Sequence, residues 1–524
     1  MPIVQKGNIN TTALVVPDLY VQIVPPQNLV INGVPTNVAG IVGTSCWGPV
    51  GQPVICSTMA DYATAFGPLM PRKYDMGTAV AVAVQQGAAN FRCVRVTDGT
   101  DTAASMAFGV TAPNFAFALT ALHTGTLGNR VTGTITTGSA ANSYRLILSM
   151  PGLQPEVFDN FIGTAAQIYA GMVAAVNNGQ GSMRGPSQLV TATLGTLAPA
   201  LDTAGSTLSG GTDGTATITA VTLIGMDTLP RTGMYALRSL GCSLAVLADA
   251  DDSTQWTTQA SFGLSEGVYM ILVTPSGDTI TNATAVKAAV GLDTYACKLM
   301  FGDWIWWNDQ TNAVMRLVSP QGFVIGRLAN LSPEQSSLNK PLYSVIGSQK
   351  SGTPGSAQST CYSSAELGAL LQSGIDVIAN PQPGGAFWGV RGGHNSSSNA
   401  ATNGDNYTRM TNYIAATLSA GMGQYVGQVV NAALFRRIRS TQLSFLQGML
   451  SQGLLGSTDG SLPFSVICDT TNNPLIRTGL GYVQSDAQVQ YQAINEKFIV
   501  NIEGGQTVQV QSQVLPGTPG SLSA

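Results

Sequence analysis

The sequence predicts a multidomain chain of the α/β and α+β class: a core with a mostly parallel sheet and flanking helices, a Thr/Gly/Ala-rich inserted domain, and extended N- and C-terminal strand arms. Three observations predict it. From Cys242 onward, apolar runs alternate with helical patterns (CSLAVLAD, STQWTTQASFGLSE, VYMILVTP, ITNATAVKAAVGL, YACKLMF), the mark of βαβ crossovers under helices on both sheet faces. After Asp98 the composition shifts to Thr, Gly and Ala until about residue 208. Near the two ends, Leu19, Val21 and Ile23 alternate with Tyr20 and Gln22, and Val508, Val510 and Val514 with Gln509, Gln511 and Gln513, the period-2 pattern of half-buried strands.

The segments divide accordingly. Residues 1–26 read as an N-terminal linking arm and 27–98 as the first part of the core. Within that part, VAGIVG and PVIC read as strands around a Gly/Pro turn at Trp47 to Pro53, DYATAFG and MGTAVAVAVQQGA as helices, and FRCVRV as a closing strand. Residues 99–208 read as an inserted peripheral domain, with a hairpin pair VTGTITTG and SYRLILSM and an amphipathic helix over Phe161 to Asn177. Residues 209–503 form the main core, which includes the βαβ region 242–307 and a closing helix and sheet over 431–503; 504–524 is the C-terminal linking arm. The strongest helix covers 431–450, where Leu434, Phe435, Ile438, Phe445, Leu446 and Met449 share one face and Asn431 is placed to cap it. Arg436, Arg437 and Arg439 lie off that stripe, as an exposed helical face or an intersubunit charge patch. The terminal strand around Val508 to Val514 needs a sheet edge, in this chain or in a neighbour.

Charge narrows the function classes. In 524 residues there are only 23 Lys and Arg against 27 Asp and Glu, a charged fraction of 10% beside 44% apolar residues and 60 Gly. Soluble domains usually carry about 25% charge. So few cations neutralise few phosphates, which argues against nucleic-acid binding. A surface short of charge also does little to repel identical copies, which points to self-association. The start lacks a basic segment followed by a continuous apolar one, and no window reaches the length of a membrane span. The seven cysteines, Cys46, Cys56, Cys93, Cys242, Cys297, Cys361 and Cys468, are far apart without a CxxC pair, and read as reduced core thiols.

The chemistry of an active site is sparse. His123 and His394 are the two histidines, and His394 sits in RGGHNSSSN, which reads as a mobile polar loop. Asp249, Asp251 and Asp252 cluster before a helical run. Capping of that helix is the preferred reading and a hard-cation site the alternative. SGGTDG and GLLGSTDG lack the GK[ST] of a phosphate loop. Trp304, Trp306 and Trp307 read as core or interface anchors rather than a ligand box. No catalytic residue, cofactor site or metal site is assigned. The enzyme alternative is a hydrolase built on the aspartate cluster; a cell-surface adhesin is a third reading, opposed by the start of the chain and its cysteines.

Seven ordered segments between about residues 17 and 503 carry a resemblance. PDLYVQIVPPQ, then VPTNVAGIVGTSCWGPVGQPVICSTMADYATAFG, SGGTDG, VSPQGFVIGRLA with LNKP, FWGVR, ALFRRIRSTQLSFLQGMLSQGLL, and FSVICDTTNNP with EKFIVNIE together resemble the sheath protein family of contractile, myovirus-type bacteriophage tails. Two departures stand out: the family's W-G-x-R-T-L continues here as WGVRGGHNSSSN, and the chain runs on after Gly504.

The resemblance implies a structural protein and not an enzyme. It implies a homo-oligomer of stacked hexameric rings around a tail tube protein, with baseplate and tail terminator proteins as further partners, and neither direct nucleic-acid contact nor membrane insertion. The implied location is the virion tail, assembled in the host cytoplasm. Contraction would drive the tube through the bacterial envelope for genome delivery. The sheath of a tail-like bacteriocin or secretion system is the alternative within the same class. In this reading Leu19, Val21 and Ile23, with Val508, Val510 and Val514, form β-strand augmentation arms between subunits, and Arg436, Arg437 and Arg439 form the charge patch.

Overall fold

The computed structural model describes residues 3–4, 21–22, 31–504 and 506, apart from 112–113, 182–183, 202, 204 and 357–359. The chain divides into two units, Met1–Gln492 and Ala493–Ala524. Near the start, β1 (Ile3–Val4) pairs in parallel with β2 (Val21–Gln22). Thus Val21 lies in a strand paired within its own chain, while Leu19, Ile23, Val508, Val510 and Val514 fall outside the described residues.

The core begins with β3 (Ala39–Gly43), β4 (Pro53–Cys56), α1 (Met59–Phe66), α2 (Met76–Gln85) and β5 (Phe91–Arg95). Each helix starts where a side chain takes up its free N–H groups: Thr58 and Asp61 form a reciprocal capping box on α1, and Asp75 accepts from Thr78 on α2.

The Thr/Gly/Ala-rich stretch then builds β6 (Ser105–Phe108), β7 (Phe117–Ala121), β8 (Thr132–Thr137), β9 (Tyr144–Ser149), β10 (Glu156–Phe161), α3 (Ala165–Asn178), β11 (Val190–Leu194) and β12 (Gly205–Thr207). These strands make two antiparallel sheets, ordered β10-β9-β8-β12 and β11-β7-β6. Their shared core holds Phe117, Leu119, Leu146, Leu148, Phe158, Tyr169 and Met172, and Trp47 enters it from the turn after β3. The helix expected from Phe161 begins at Ala165 instead. Phe161 completes β10, and Thr164 with Gln167 supplies the capping box that fixes the start.

The chain returns through α4 (Ala220–Ile224) to β13 (Leu244–Leu247), α5 (Trp256–Glu266), β14 (Tyr269–Val273), α6 (Ile280–Val290) and β15 (Cys297–Met300), the alternation expected from the sequence. Next come β16 (Ile305–Asp309), β17 (Val314–Val318), α7 (Pro320–Asn330), β18 (Gly347–Ser348), α8 (Ser364–Gln372), β19 (Ile375–Asp376), β20 (Ile378–Ala379) and β21 (Gly389–Val390). The central sheet runs β19-β15-β14-β13-β3-β5-β4, parallel throughout except for β4, which opposes β5.

Both faces of this sheet are covered, which is why its strands read as unbroken apolar runs. Ile41, Leu244, Val246, Ile271 and Val273 face one core with Val80 of α2 and Phe323 of α7. Their neighbours Val42, Ala245, Leu247, Met270 and Leu272 face the other, with Trp256 and Phe262 of α5. The 0% exposure of Trp256 makes it the largest single anchor of that second layer.

A C-terminal module follows, made of α9 (Asp405–Met422), α10 (Ala432–Ser451), β22 (Phe464–Ile467), α11 (Leu475–Thr478) and β23 (Asp486–Val489). Asn431 caps α10 by accepting from the Leu434 N–H at 2.9 Å. Leu434, Phe435, Ile438, Phe445, Leu446 and Met449 are all buried. EKFIVNIE, expected in the final sheet, has no strand in the second unit, where Phe498, Ile499 and Ile502 are exposed. An extended apolar segment becomes a strand only where an edge offers hydrogen bonds.

Candidate interaction surfaces and a closed crevice

In a doubly wound sheet, ligands enter at the carboxyl ends of the strands where the winding reverses. Here that point lies between β3 and β13, and the structure closes it. The Asp75 carboxylate accepts from the Thr78 N–H and hydroxyl, both at 2.7 Å, and from the Met70 N–H at 3.2 Å. Asp249 accepts from the Tyr74 N–H at 3.0 Å, and Gln321 bridges from the Asp249 N–H to the Ile271 carbonyl. Tyr74 and Asp249 both adopt left-handed backbone, at φ 63° and 54°, a conformation held only where surroundings fix it. The remaining space is about 10 Å³, room for one water at most. Burial pushes the Asp75 carboxyl up to about 6, against its hydrogen bonds from Thr78, and the Asp249 carboxyl up to about 7.

The aspartate cluster therefore disperses. Asp249 braces the crevice, Asp251 pairs with Lys73 at 2.9 Å, and Asp252 accepts from the Thr254 N–H and hydroxyl at the start of the helical run. Capping is the role found for Asp252 alone. Among the described residues no three His, Cys, Asp or Glu side chains converge as a metal site. A second depression of about 430 Å³ lies beyond β14 and β15, and its polar groups satisfy each other: Lys350 bonds Glu366 at 2.6 Å, and the Tyr362 hydroxyl bonds Asp303 at 2.8 Å.

Two readings of the sequence are corrected here. Cys361 is exposed, whereas the other six thiols are buried as expected; it sits in an uncovered connection before α8. The RGGHNSSSN loop is anchored rather than mobile. Asn395 and Ser396 are buried, and His394 is half-buried. Lys287 donates to the Ser396 carbonyl and Lys298 to that of His394.

Lys298 is the centre of a network that sequence reasoning missed. Its ammonium, fully buried, lies 2.6 Å from Asp376 and 3.1 Å from Asp405. Tyr269 donates to Asp405 at 2.6 Å, and the Ser337 hydroxyl also bonds it. The Asp376 carboxylate accepts N–H bonds from Val377, Gly392, Gly393 and His394. Burial alone would raise the Asp405 carboxyl, but Lys298, Ser337 and Tyr269 more than offset it and hold it below its ordinary value. Every ionised group is thus paired and saturated with hydrogen bonds, the condition for carrying charge in a core. The network ties α9, and with it the C-terminal module, to the central sheet. An isolated Lys in CKLM gave no sign of it.

The surface positions are simpler. Arg436, Arg437 and Arg439 are exposed on α10, and none has an ion-pair partner among the described residues. Trp304 and Trp307 are buried, and the Trp307 indole donates to Gln85. At the tip of the β22–β23 hairpin, α11 buries no residue: Leu475 is 86% and Ile476 80% exposed, with Leu480 and Tyr482 beside them. No helix among the described residues is long and apolar enough to cross a membrane.

No protein-family model matches the sequence, and no curated protein matches it. Solved structures do. The sheath tail protein of Desulfitobacterium hafniense superposes with a TM-score of 0.58 at 16% identity, covering 85% of this chain and 93% of its own. The sheath tail protein of Listeria innocua gives 0.57 at 14% identity, covering 84% and 90%. The contracted sheath complex of an extracellular contractile injection system gives 0.53 at 10% identity, covering 95% and 99%. The chain has the fold of these contractile sheath proteins, as the resemblance of its segments implied.

Proposed function

We propose that this chain, built on the sheath fold, is a structural subunit of a contractile tail sheath and not an enzyme. Subunits assemble as stacked hexameric rings around a tail tube, bounded by baseplate and terminator proteins. Contraction drives the tube through the bacterial envelope to deliver a genome. The observation that carries this reading is a fold shared over nine-tenths or more of each compared sheath chain, on a scaffold whose ligand crevice is shut. The particle is a virion tail assembled in the host cytoplasm. A second reading, the sheath of a related injection system, is favoured by the match to an extracellular contractile injection system over 95% of this chain.

Leu19, Val21 and Ile23, with Val508, Val510 and Val514, are the proposed linking strands, and Arg436, Arg437 and Arg439 the proposed charge patch. At roughly 1 kcal/mol net per backbone hydrogen bond, about five bonds per arm tether a neighbour by several kcal/mol. Electron microscopy of the purified protein tests the reading: ring-stacked tubes support it, and monomers at high concentration overturn it. A genome in the purified particle separates the phage tail from the injection system.

A further inference from the structure

We propose that residues 31–37 are a latch: they strap the far end of α9 to the central sheet, and a pull on the N-terminal arm frees that end to swing about a hinge at Asp405. The pull rests on the reading of the chain as a sheath subunit linked by its arms; the strap and the hinge do not. The near end of α9 is fixed. Asp405 meets Lys298 at 3.1 Å and the Tyr269 hydroxyl at 2.6 Å, the Thr408 hydroxyl donates to the Tyr295 carbonyl at 2.7 Å, and Arg409 donates to the carbonyls of Leu331 and Ser332. Bonds to ionised groups are the strong ones, so this end is the pivot.

The far end is held more lightly. Beyond Met410, the hydrogen bond that ties α9 to the segment entering β3, among the described residues, is the one that the Val34 N–H donates to the Thr417 hydroxyl at 3.2 Å. Two glycines let the strap and the helix touch. Gly421 leaves a notch that Ile31 fills, since a Cβ there would lie 2.7 Å from the Ile31 side chain, and Gly33 passes under Tyr413, where a Cβ would overlap the hydroxyl. Ile31 is buried in this seat with Met410, Ile414 and Phe445. One neutral hydrogen bond and one seated side chain yield before the charged bonds at Asp405 do.

Open space flanks the strap on both sides. A cleft of about 630 Å³ separates Tyr413, Ala416 and Ala420 of α9 from Ser243 and Val268 at the amino ends of β13 and β14, and a second hollow of about 490 Å³ lies toward the ends of α7 and α10; Val34, Pro35 and Thr36 line both. Close-packed interiors resist motion, so these hollows are where α9 tilts without displacing packed side chains. Gly421 lies roughly 24 Å from Asp405 at 1.5 Å per residue, and a tilt of about 5° shifts it by about 2 Å. A gap of that size forfeits most of the contact with Ile31. The arm of residues 1–26 leads into the strap, so a load on it reaches the latch first.

The experiment fuses the latch in one variant of the full chain and loosens it in another. A sulfur in place of the Ile31 Cγ lies 2.7 Å from a Cβ at position 421, within disulfide reach. In a Cys361→Ser background, Ile31→Cys with Gly421→Cys is therefore expected to close when diamide takes up the two thiol hydrogens, read as the loss of two free thiols. Sheath tubes of the oxidised variant are expected to contract on warming at least tenfold more slowly than wild type, and dithiothreitol to restore the rate. Gly33→Ala, which presses on the Tyr413 hydroxyl, is expected to speed contraction at least tenfold. A wild-type rate from the oxidised tubes overturns the latch and leaves the sheath reading standing. Where the cysteine variant does not fold, Gly33→Ala decides alone, and a wild-type rate from it overturns the latch. If the wild type forms no tubes, the sheath reading fails, and hydrogen exchange on the soluble chain reads the latch: in Gly33→Ala the Val34 amide and residues 413–422 are expected to exchange at least tenfold faster than in wild type, with 405–410 unchanged. Equal change in both halves of α9, or none in either, overturns it.

Discussion

Single side chains show where the chain spends and recovers stability. Replacing Lys298 by Met leaves Asp376 and Asp405 buried without their cation, and a broken buried pair costs about 3–5 kcal/mol; denaturant unfolding of the variant reads this directly. Asp249 runs the other way. Its folded carboxyl titrates at about 7, raised by burial and by the nearby Asp75, against the Tyr74 N–H bond and the charges of Lys73 and Arg316. Ionising it therefore costs the native state stability, increasingly as pH rises from about 4 to about 7. Asp249→Asn keeps the acceptor for Tyr74, so it is expected to stabilise by on the order of 4 kcal/mol at pH 8 and by almost nothing at pH 4; unfolding midpoints at the two pH values test the sign. Neither effect was legible in the sequence. The cluster around Asp249 announced carboxylates and a helix start, but its three members go to a brace, an ion pair and a cap, and only folding sorts them.

Among the elements, those with periodic patterns and local caps were legible and those defined by a distant partner were not. β13 to β15 with α5 and α6 follow from runs of buried residues between helical stretches, and α10 from its stripe and Asn431. Asn431→Ala is expected to cost about 1 kcal/mol by releasing the Leu434 N–H, measured as a shift in unfolding midpoint. The start of α3 was misplaced because Phe161 fits a helical face as well as it ends β10; the Thr164 capping box decides it. The anchored RGGHNSSSN loop was illegible because its order comes from Lys287 and Lys298, both about a hundred residues upstream. Exposure of Arg436, Arg437 and Arg439 on α10 sets a further expectation: reversing all three to Glu leaves the fold intact and abolishes assembly, read by circular dichroism and by electron microscopy of the same sample.

For the whole molecule, the low charge count, 23 Lys and Arg with 27 Asp and Glu in 524 residues, accords with the proposed self-association. Deleting residues 505–524 is expected to abolish tube formation while the remaining chain stays folded and soluble, checked by sedimentation. Contraction of purified particles is expected to need no nucleotide, because two packings of rigid subunits store the difference; a requirement for ATP would sink that view. The inserted domain adds a mechanical consequence. Trp47, in the turn leaving β3, is buried in the insert's own core, and Arg95 at the end of β5 donates to the carbonyls of Gly48 and Thr124. Asp213 joins Arg72 of the core to the Thr126 N–H of the insert. A load applied to the insert thus reaches the central sheet through bonded, close-packed contacts rather than through slack chain. The insert works as a lever arm welded to its axle, and a torque applied to it turns the core with it.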